Sequence, residues 1–142
     1  MNKKKILDYW NLRAGKKILK CTNDINLEIN EIGIFLSLIK NKKNVLDIGC
    51  GDGELLRNLE KKNKCNCYGI DFSQNLIKIA RQKSKNINYY CIDMNKIKDE
   101  FKVKIKFDYI ITKRSIQNLT SWKDQKKFID QLKFFSGPKT KI

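Results

Sequence analysis

Histidine is absent from all 142 residues. That removes the side chain whose charge changes nearest neutral pH, and with it any histidine general base or histidine metal ligand. Proline occurs once, at Pro138, so no proline-rich linker divides the chain. Arginine supplies only 4 of the 31 basic residues, and nucleic-acid sites favour its bidentate fork over the point charge of lysine. No apolar run approaches the roughly 18 residues that a membrane span needs. The basic start Met1-Asn2-Lys3-Lys4-Lys5 leads into an amphipathic stretch rather than the apolar core of a signal peptide. The expected location is therefore cytoplasmic.

Lysine is what the chain has in excess. Its formal charge is +16, and 27 lysines are scattered from end to end. With 20 Ile and 15 Asn, they point to an AT-rich coding sequence and a solvated lysine surface rather than to a phosphate-binding face. A nucleic-acid partner is not expected. Five cysteines (Cys21, Cys50, Cys65, Cys67, Cys91) without a secretory signal imply reduced thiols. Cys65-x-Cys67 puts two thiols on one strand face. No histidine and no second close pair completes four ligands, so no metal site is expected.

Apolar residues make up 41% of the chain, and a chain of this size can bury roughly 70% of its unfolded surface. One domain, 1–142, is expected. Within it, residues 1–43 are expected to form N-terminal helices, 44–136 a βα core, and 137–142 a truncated end. A helix is predicted from Lys4 to Ala14. A second, capped by Asn23 or Asp24, runs to about Lys40 with Leu27, Ile34, Phe35 and Leu38 available for the core. From Asn44 onward strand, turn and helix alternate. The predicted strands are Val45 to Ile48, Cys67 to Asp71, Ile87 to Ile92 and Phe107 to Ile111. Ser73 and the capping box Ser121-x-x-Asp124 open two of the intervening helices, and a weak helix is predicted around Ile97 to Phe101. This alternation implies an α/β fold with a parallel sheet and right-handed crossovers.

Ligands of such sheets bind beyond the carboxyl ends of the strands. The first strand runs into Asp47-Ile48-Gly49-Cys50-Gly51-Asp52-Gly53, where glycines let the backbone approach a ligand closely. The second ends at Asp71, a carboxylate able to accept both hydroxyls of a ribose. The third ends at Asp93, placed to accept from an exocyclic adenine amine.

These turns resemble the class I S-adenosylmethionine-dependent methyltransferase family, over about Tyr9 to Gly137. Val45 to Gly53 looks like its D-x-G-x-G-x-G motif. Tyr68-Gly69-Ile70-Asp71-Phe72-Ser73 resembles the ribose motif, Cys91-Ile92-Asp93-Met94 the adenine-edge motif, and Phe107 to Thr112 the fourth-strand motif. The resemblance implies a Rossmann-like three-layer sandwich with S-adenosylmethionine as cofactor and a small molecule as methyl acceptor. It implies cofactor contacts at Asp47, Gly49, Gly51, Asp71, Phe72, Asp93, Met94 and Thr112. Tyr9-Trp10-Asn11-Leu12-Arg13 is similar to a segment that closes over the cofactor, which makes Arg13 a partner for its carboxylate.

Two other classes compete. A dinucleotide fingerprint would need its third glycine at position 54, where Glu54 stands. A basic RNA-binding or RNA-modifying module would need aromatic and basic residues interleaved, a pattern not apparent here. No catalytic residue stands out: Tyr9, Asp93 and Lys113 are candidate bases without support, and Arg114 is a candidate grip for an anionic acceptor. Ser115 to Trp122 is either a pocket wall or a helix-start loop. The family sheet has seven strands in the order 3-2-1-4-5-7-6, of which strands 3-2-1-4 are expected here and strands 5–7 missing. Strand four is then an uncovered edge carrying Tyr109, Ile110 and Ile111, through which the chain is expected to dimerise.

Overall fold

A computed structural model describes residues 3–16, 18, 19, 22 and 24–142. Two helices precede the sheet, α1 (Lys3–Gly15) and α2 (Ile25–Leu38). The βα series follows: β1 (Asn44–Ile48), α3 (Glu54–Asn63), β2 (Asn66–Asp71), α4 (Gln74–Lys83), β3 (Asn88–Cys91), a short α5 (Ile97–Glu100), β4 (Phe107–Ile111), α6 (Trp122–Leu132) and β5 (Ser136–Lys141). The predicted caps hold. Asp24 accepts from Leu27 N at 3.0 Å, and Ser73 Oγ from Leu76 N at 3.3 Å. Ser121 Oγ accepts from Asp124 N at 3.1 Å and donates to its carboxylate at 2.7 Å. Asn23, the alternative cap, and Cys21 lie outside the described residues.

All strands are parallel, in the order β3-β2-β1-β4-β5. The pleat divides the core. Val45 packs with α3, with α4 and with Ile32, Phe35 and Leu36 of α2 on one face. Leu46 and Ile48 face the other way, against Ile97, Phe101, Phe128 and Leu132. This is the three-layer Rossmann-like sandwich.

Two expectations need correction. The end of the chain is a fifth strand: Phe107 pairs with Ser136 and Tyr109 with Lys141 across a register shift. Strand four is therefore covered, and a dimer through its edge has no free edge to use. The second correction concerns α2. Its core face is Ile32, Phe35 and Leu36 together with Ile39 just beyond the helix, while Leu27, Ile34 and Leu38 are exposed. The helix is apolar on several sides, so docking geometry and not periodicity selects the buried one.

Candidate cofactor cleft

The register puts the ends of β1, β2 and β4 side by side, pairing Asp47 with Gly69 and Ile111, and Ile48 with Ile70. The glycine turn after β1 is tied to β2: the N–H groups of Gly49 and Cys50 both donate to Ile70 O, at 2.7 and 3.0 Å. Gly49 and Gly51 have φ of +84° and +58°, the left-handed region that costs a side-chain-bearing residue roughly 1–2 kcal/mol. The loop after β4 closes the other side, with Ser115 directly against Gly49.

These elements enclose a cleft with about 550 Å³ of empty space, lined by Trp10, Gly49, Gly51, Asp71, Phe72 and Met94 among others. Two further hollows share its walls. One, holding Asp93, shares Phe72, Met94 and Asn118. The other, holding Asp47, Glu28 and Glu31, shares Leu19, Gly49, Gly51, Lys113 and Arg114.

Asp71 is the best-anchored polar group. Its Oδ2 accepts from Gly51 N at 3.0 Å and its Oδ1 from Ser73 N at 2.9 Å. Burial raises its carboxyl above the ordinary value, and the backbone N–H bonds from Ser73, Gly51 and Phe72 work against that rise. Asp47 is buried as well, and its Oδ1 has no hydrogen-bond partner among the described residues. Burial pushes its pKa from 3.8 to about 7, with Lys113 opposing and Asp71 adding to the rise. Glu31 moves the other way: burial raises it, but the Arg114 hydrogen bond and the Lys113 and Arg114 charges bring it below its usual value.

Of the residues predicted for a cofactor, the structure gathers Gly49, Gly51, Asp71, Phe72 and Met94 in the cleft and puts Asp47 and Asp93 in the flanking hollows. Asp93 is already engaged, capping the turn at Asn95 N and ion-paired with Lys3. Arg13 and Thr112 are not among the residues lining any of the three. The Arg13 guanidinium lies over Tyr9 and Trp10, 5.4 and 5.7 Å from the ring centroids, and it is Trp10 that reaches the cleft. Past Thr112, the next three residues line the cleft instead. Ser115 and Asn118 are cleft wall, so the Ser115–Trp122 stretch is pocket at its beginning, and Trp122 is 74% exposed. Arg114 grips Glu31. Sequence reasoning missed Leu19 and Glu31. Glu31 carried no signal, because its partners lie 82 and 83 residues away.

A model of a methyltransferase domain family matches residues 45–135. The chain belongs to the S-adenosylmethionine-dependent methyltransferase family. The ubiquinone biosynthesis O-methyltransferase of Coxiella burnetii is 37% identical over 91 residues, which are 61% of this chain and 37% of that protein. The chain thus spans well under half the length of that relative. The fold is that of a TehB-like SAM-dependent methyltransferase from Corynebacterium glutamicum (TM-score 0.69, 18% identity, 96% of this chain and 68% of that one). It is also that of the N-methyltransferase NodS from Bradyrhizobium japonicum, solved with S-adenosyl-L-homocysteine (TM-score 0.70, 20% identity, 91% of this chain and 68% of that one). The methyltransferase cofactor is S-adenosylmethionine, and the cleft's own features test whether it suits these residues. Gly51, which lines the cleft, has open space where a side chain would be, Asp47 Oδ1 is an orphaned buried acceptor, and Asp71 is an acceptor-only carboxylate held by backbone N–H groups at the cleft wall. The residues fit the group.

Proposed function

We propose that this chain binds S-adenosylmethionine in the cleft between the Gly49–Gly51 turn, the Asp71–Phe72 strand end and the Ser115 loop, and serves transfer of its methyl group to a small-molecule acceptor. The observation that carries this reading is Asp71. Backbone N–H groups, those of Gly51 and Ser73 among them, fix its carboxylate at the cleft wall, in place to receive the hydroxyls of a ribose as charge-assisted bonds. Phe72 and Met94 line both the cleft and the hollow that contains Asp93, so an adenine ring lying along Phe72 has Asp93 at its edge. Gly49 and Gly51 take the methionine portion, and the free Asp47 oxygen faces its ammonium. Arg13 and Thr112 are not among the residues lining the cleft.

Bound there, the cofactor supplies an electrophilic methyl group on a positively charged sulfur. The chain's contribution is to hold it, exclude water and align the acceptor, since proximity and orientation account for most of the rate gain in such a transfer. Two of the three candidate bases are already ion-paired, and the third, Tyr9, is not among the residues lining the cleft. Tyr9 is half exposed against Trp10, Asp93 is paired with Lys3, and Lys113 with Glu31. A small-molecule acceptor agrees with the relative named for ubiquinone biosynthesis. A nucleic acid does not suit the four arginines, each of which already has a partner within the chain: Arg13 the Tyr9 and Trp10 rings, Arg57 Asp52, Arg81 Tyr89 O and Arg114 Glu31. A cytoplasmic setting accords with the unpaired thiols of Cys50, Cys65, Cys67 and Cys91.

Calorimetry with S-adenosylhomocysteine and with NAD tests this. Binding of the first and not the second is expected. A folded sample that ignores the homocysteine compound, or takes NAD equally well, overturns the proposal.

A further inference from the structure

Lys113 and Arg114 are the only cations among the described residues lining the cleft and the Asp47 hollow beside it. Both are held by one carboxylate. Glu31 Oε1 accepts from Arg114 Nε at 3.0 Å and Nη2 at 2.6 Å, while Oε2 accepts from Lys113 Nζ at 3.4 Å. A guanidinium edge and an ammonium converging on one carboxylate is the arrangement that recognises a carboxylate ligand.

The surroundings favour that use. The other ionisable groups lining the hollow are acidic: Glu28, Asp47, Asp52 and Glu54. Among the described residues lining it, Lys113 and Arg114 are the cations an entering anionic group meets. Arg114 sits at φ +53°, a backbone state that a residue with a side chain rarely adopts and that concentrates at ligand clamps. The three side chains are each only about a quarter exposed, at 24%, 23% and 25% for Glu31, Lys113 and Arg114. Water therefore screens the contact less than it would a surface pair.

We infer that Lys113 and Arg114 form a carboxylate-binding site at the mouth of the cleft, and that Glu31 of α2 occupies it as an internal stand-in which a ligand's carboxylate displaces. The inference rests on the cofactor reading above. The carboxylate comes either from the amino-acid end of the cofactor or from the acceptor. In either case Glu31 competes with the ligand and weakens its apparent binding. Removing the Glu31 charge then tightens it, the opposite of what loss of a merely structural ion pair does.

The test compares Glu31→Gln with the unaltered chain by calorimetry, using three probes. S-adenosylhomocysteine carries the carboxylate. 5′-Methylthioadenosine has the same adenosine and sulfur without the amino-acid end. Benzoate is a plain carboxylate, offered with and without S-adenosylhomocysteine. If the cofactor supplies the carboxylate, Glu31→Gln binds S-adenosylhomocysteine about three- to tenfold tighter, the range over which a partly buried ion pair competes, and methylthioadenosine is unchanged. If the acceptor supplies it, benzoate tightens on the loaded protein and S-adenosylhomocysteine does not. Weaker S-adenosylhomocysteine binding in Glu31→Gln, or no change with either carboxylate, overturns the inference.

Arg114→Asn provides a second readout should Glu31→Gln fold poorly, since asparagine tolerates the left-handed backbone. It should lose carboxylate affinity and keep methylthioadenosine. Equal affinity for every probe in that variant also overturns the inference. A folded chain that binds neither adenosine compound sinks the cofactor reading instead, while benzoate alone still reports on the carboxylate site.

Discussion

Ser115 occupies the space that a side chain on Gly49 would need. A methyl group there would lie 2.3 Å from Ser115 Cβ and 3.0 Å from its Oγ, so the β1 turn and the β4 loop interlock at the centre of the cleft. Gly51, two residues on, has open space where its side chain would be. The two glycines therefore answer differently to the same substitution. Gly49→Ala adds backbone strain of about 1–3 kcal/mol to overpacking of about 1–3 kcal/mol, and should lower Tm by about 6 °C or more for a chain of this size. Gly51→Ala should cost only about 1–2 kcal/mol yet weaken S-adenosylhomocysteine binding more than about tenfold, the worth of about 1.4 kcal/mol in lost contacts. Melts and titrations on both variants decide it. Equal damage to stability in the two would mean that Ser115 yields easily.

Asp71 and Asp93 end neighbouring strands but stand differently toward the cleft. Asp71 lines it with both oxygens anchored to backbone, whereas Asp93 is in the adjoining hollow, already bonded to Asn95 N and paired with Lys3. Asp71→Ala removes two charge-assisted bonds to the ribose, each worth roughly 1.5–3 kcal/mol, and should reduce S-adenosylhomocysteine affinity by well over tenfold. Asp93→Ala should lose less, because the Met94 backbone stays in place. Equal or reversed losses in side-by-side titrations would show that the ribose is elsewhere.

The buried Asp47 carboxyl makes stability depend on pH in an unusual direction. Its pKa rises from 3.8 to about 7 on folding, chiefly by burial. Below pH 4 both states carry the proton, and the group contributes nothing to the slope. Between about pH 4 and 7 the unfolded chain has lost the proton while the folded chain keeps it, so stability falls as pH rises, then levels off above 7. A shift of this size amounts to at most about 4 kcal/mol. Asp47→Asn should flatten that fall and leave the variant more stable than the parent at pH 8. Denaturant unfolding at pH 4.5, 6 and 8 measures it, and parallel pH profiles for the two proteins would rule out Asp47 as the source.

Much of this architecture can be read from the residues, for identifiable reasons. β1 to β4 are short runs rich in apolar side chains, each ending in a polar turn, and the strand ends Asp47, Asp71 and Asp93 follow from that pattern. β5 does not. Ser136-Gly137-Pro138 resembles a turn leading into a strand, because proline and glycine are poor strand formers in the middle of a sheet, and only an edge position accommodates them. The outward face of α2 was illegible for a different reason: Leu27, Ile34 and Leu38 are as apolar as Ile32, Phe35 and Leu36, so only the sheet decides which three it covers. In the site, the glycine turn and Asp71 were legible because each belongs to a contiguous strand-end motif, Asp47 to Gly53 and Tyr68 to Ser73. The Glu31 contacts with Lys113 and Arg114 were not, because the crossover topology alone brings them together.

One hydroxyl bridges the irregular stretch of the β4–β5 pairing. Thr140 Oγ accepts from Gly137 N at 2.7 Å and donates to Phe107 O at 2.6 Å, bridging the register shift between the Phe107 and Tyr109 pairings. Thr140→Val keeps the shape and removes both bonds, leaving an N–H and a C=O partly buried without partners, at a cost of about 1–3 kcal/mol. That corresponds to a fall in Tm of roughly 3–9 °C at this chain length. Loss of β5 would also bare β4, whose Tyr109, Ile110 and Ile111 are buried, and an apolar edge of that kind pairs with other copies. The β5 edge itself resists such pairing, because Pro138 offers no N–H and Lys139 and Lys141 carry charge. Thr140→Val should therefore scatter light earlier in a thermal melt than the parent does, and Thr140→Ser should restore the parent's behaviour. If the valine variant melts and scatters like the parent, the backbone pairing of Ser136 and Lys141 holds the fifth strand without help from Thr140.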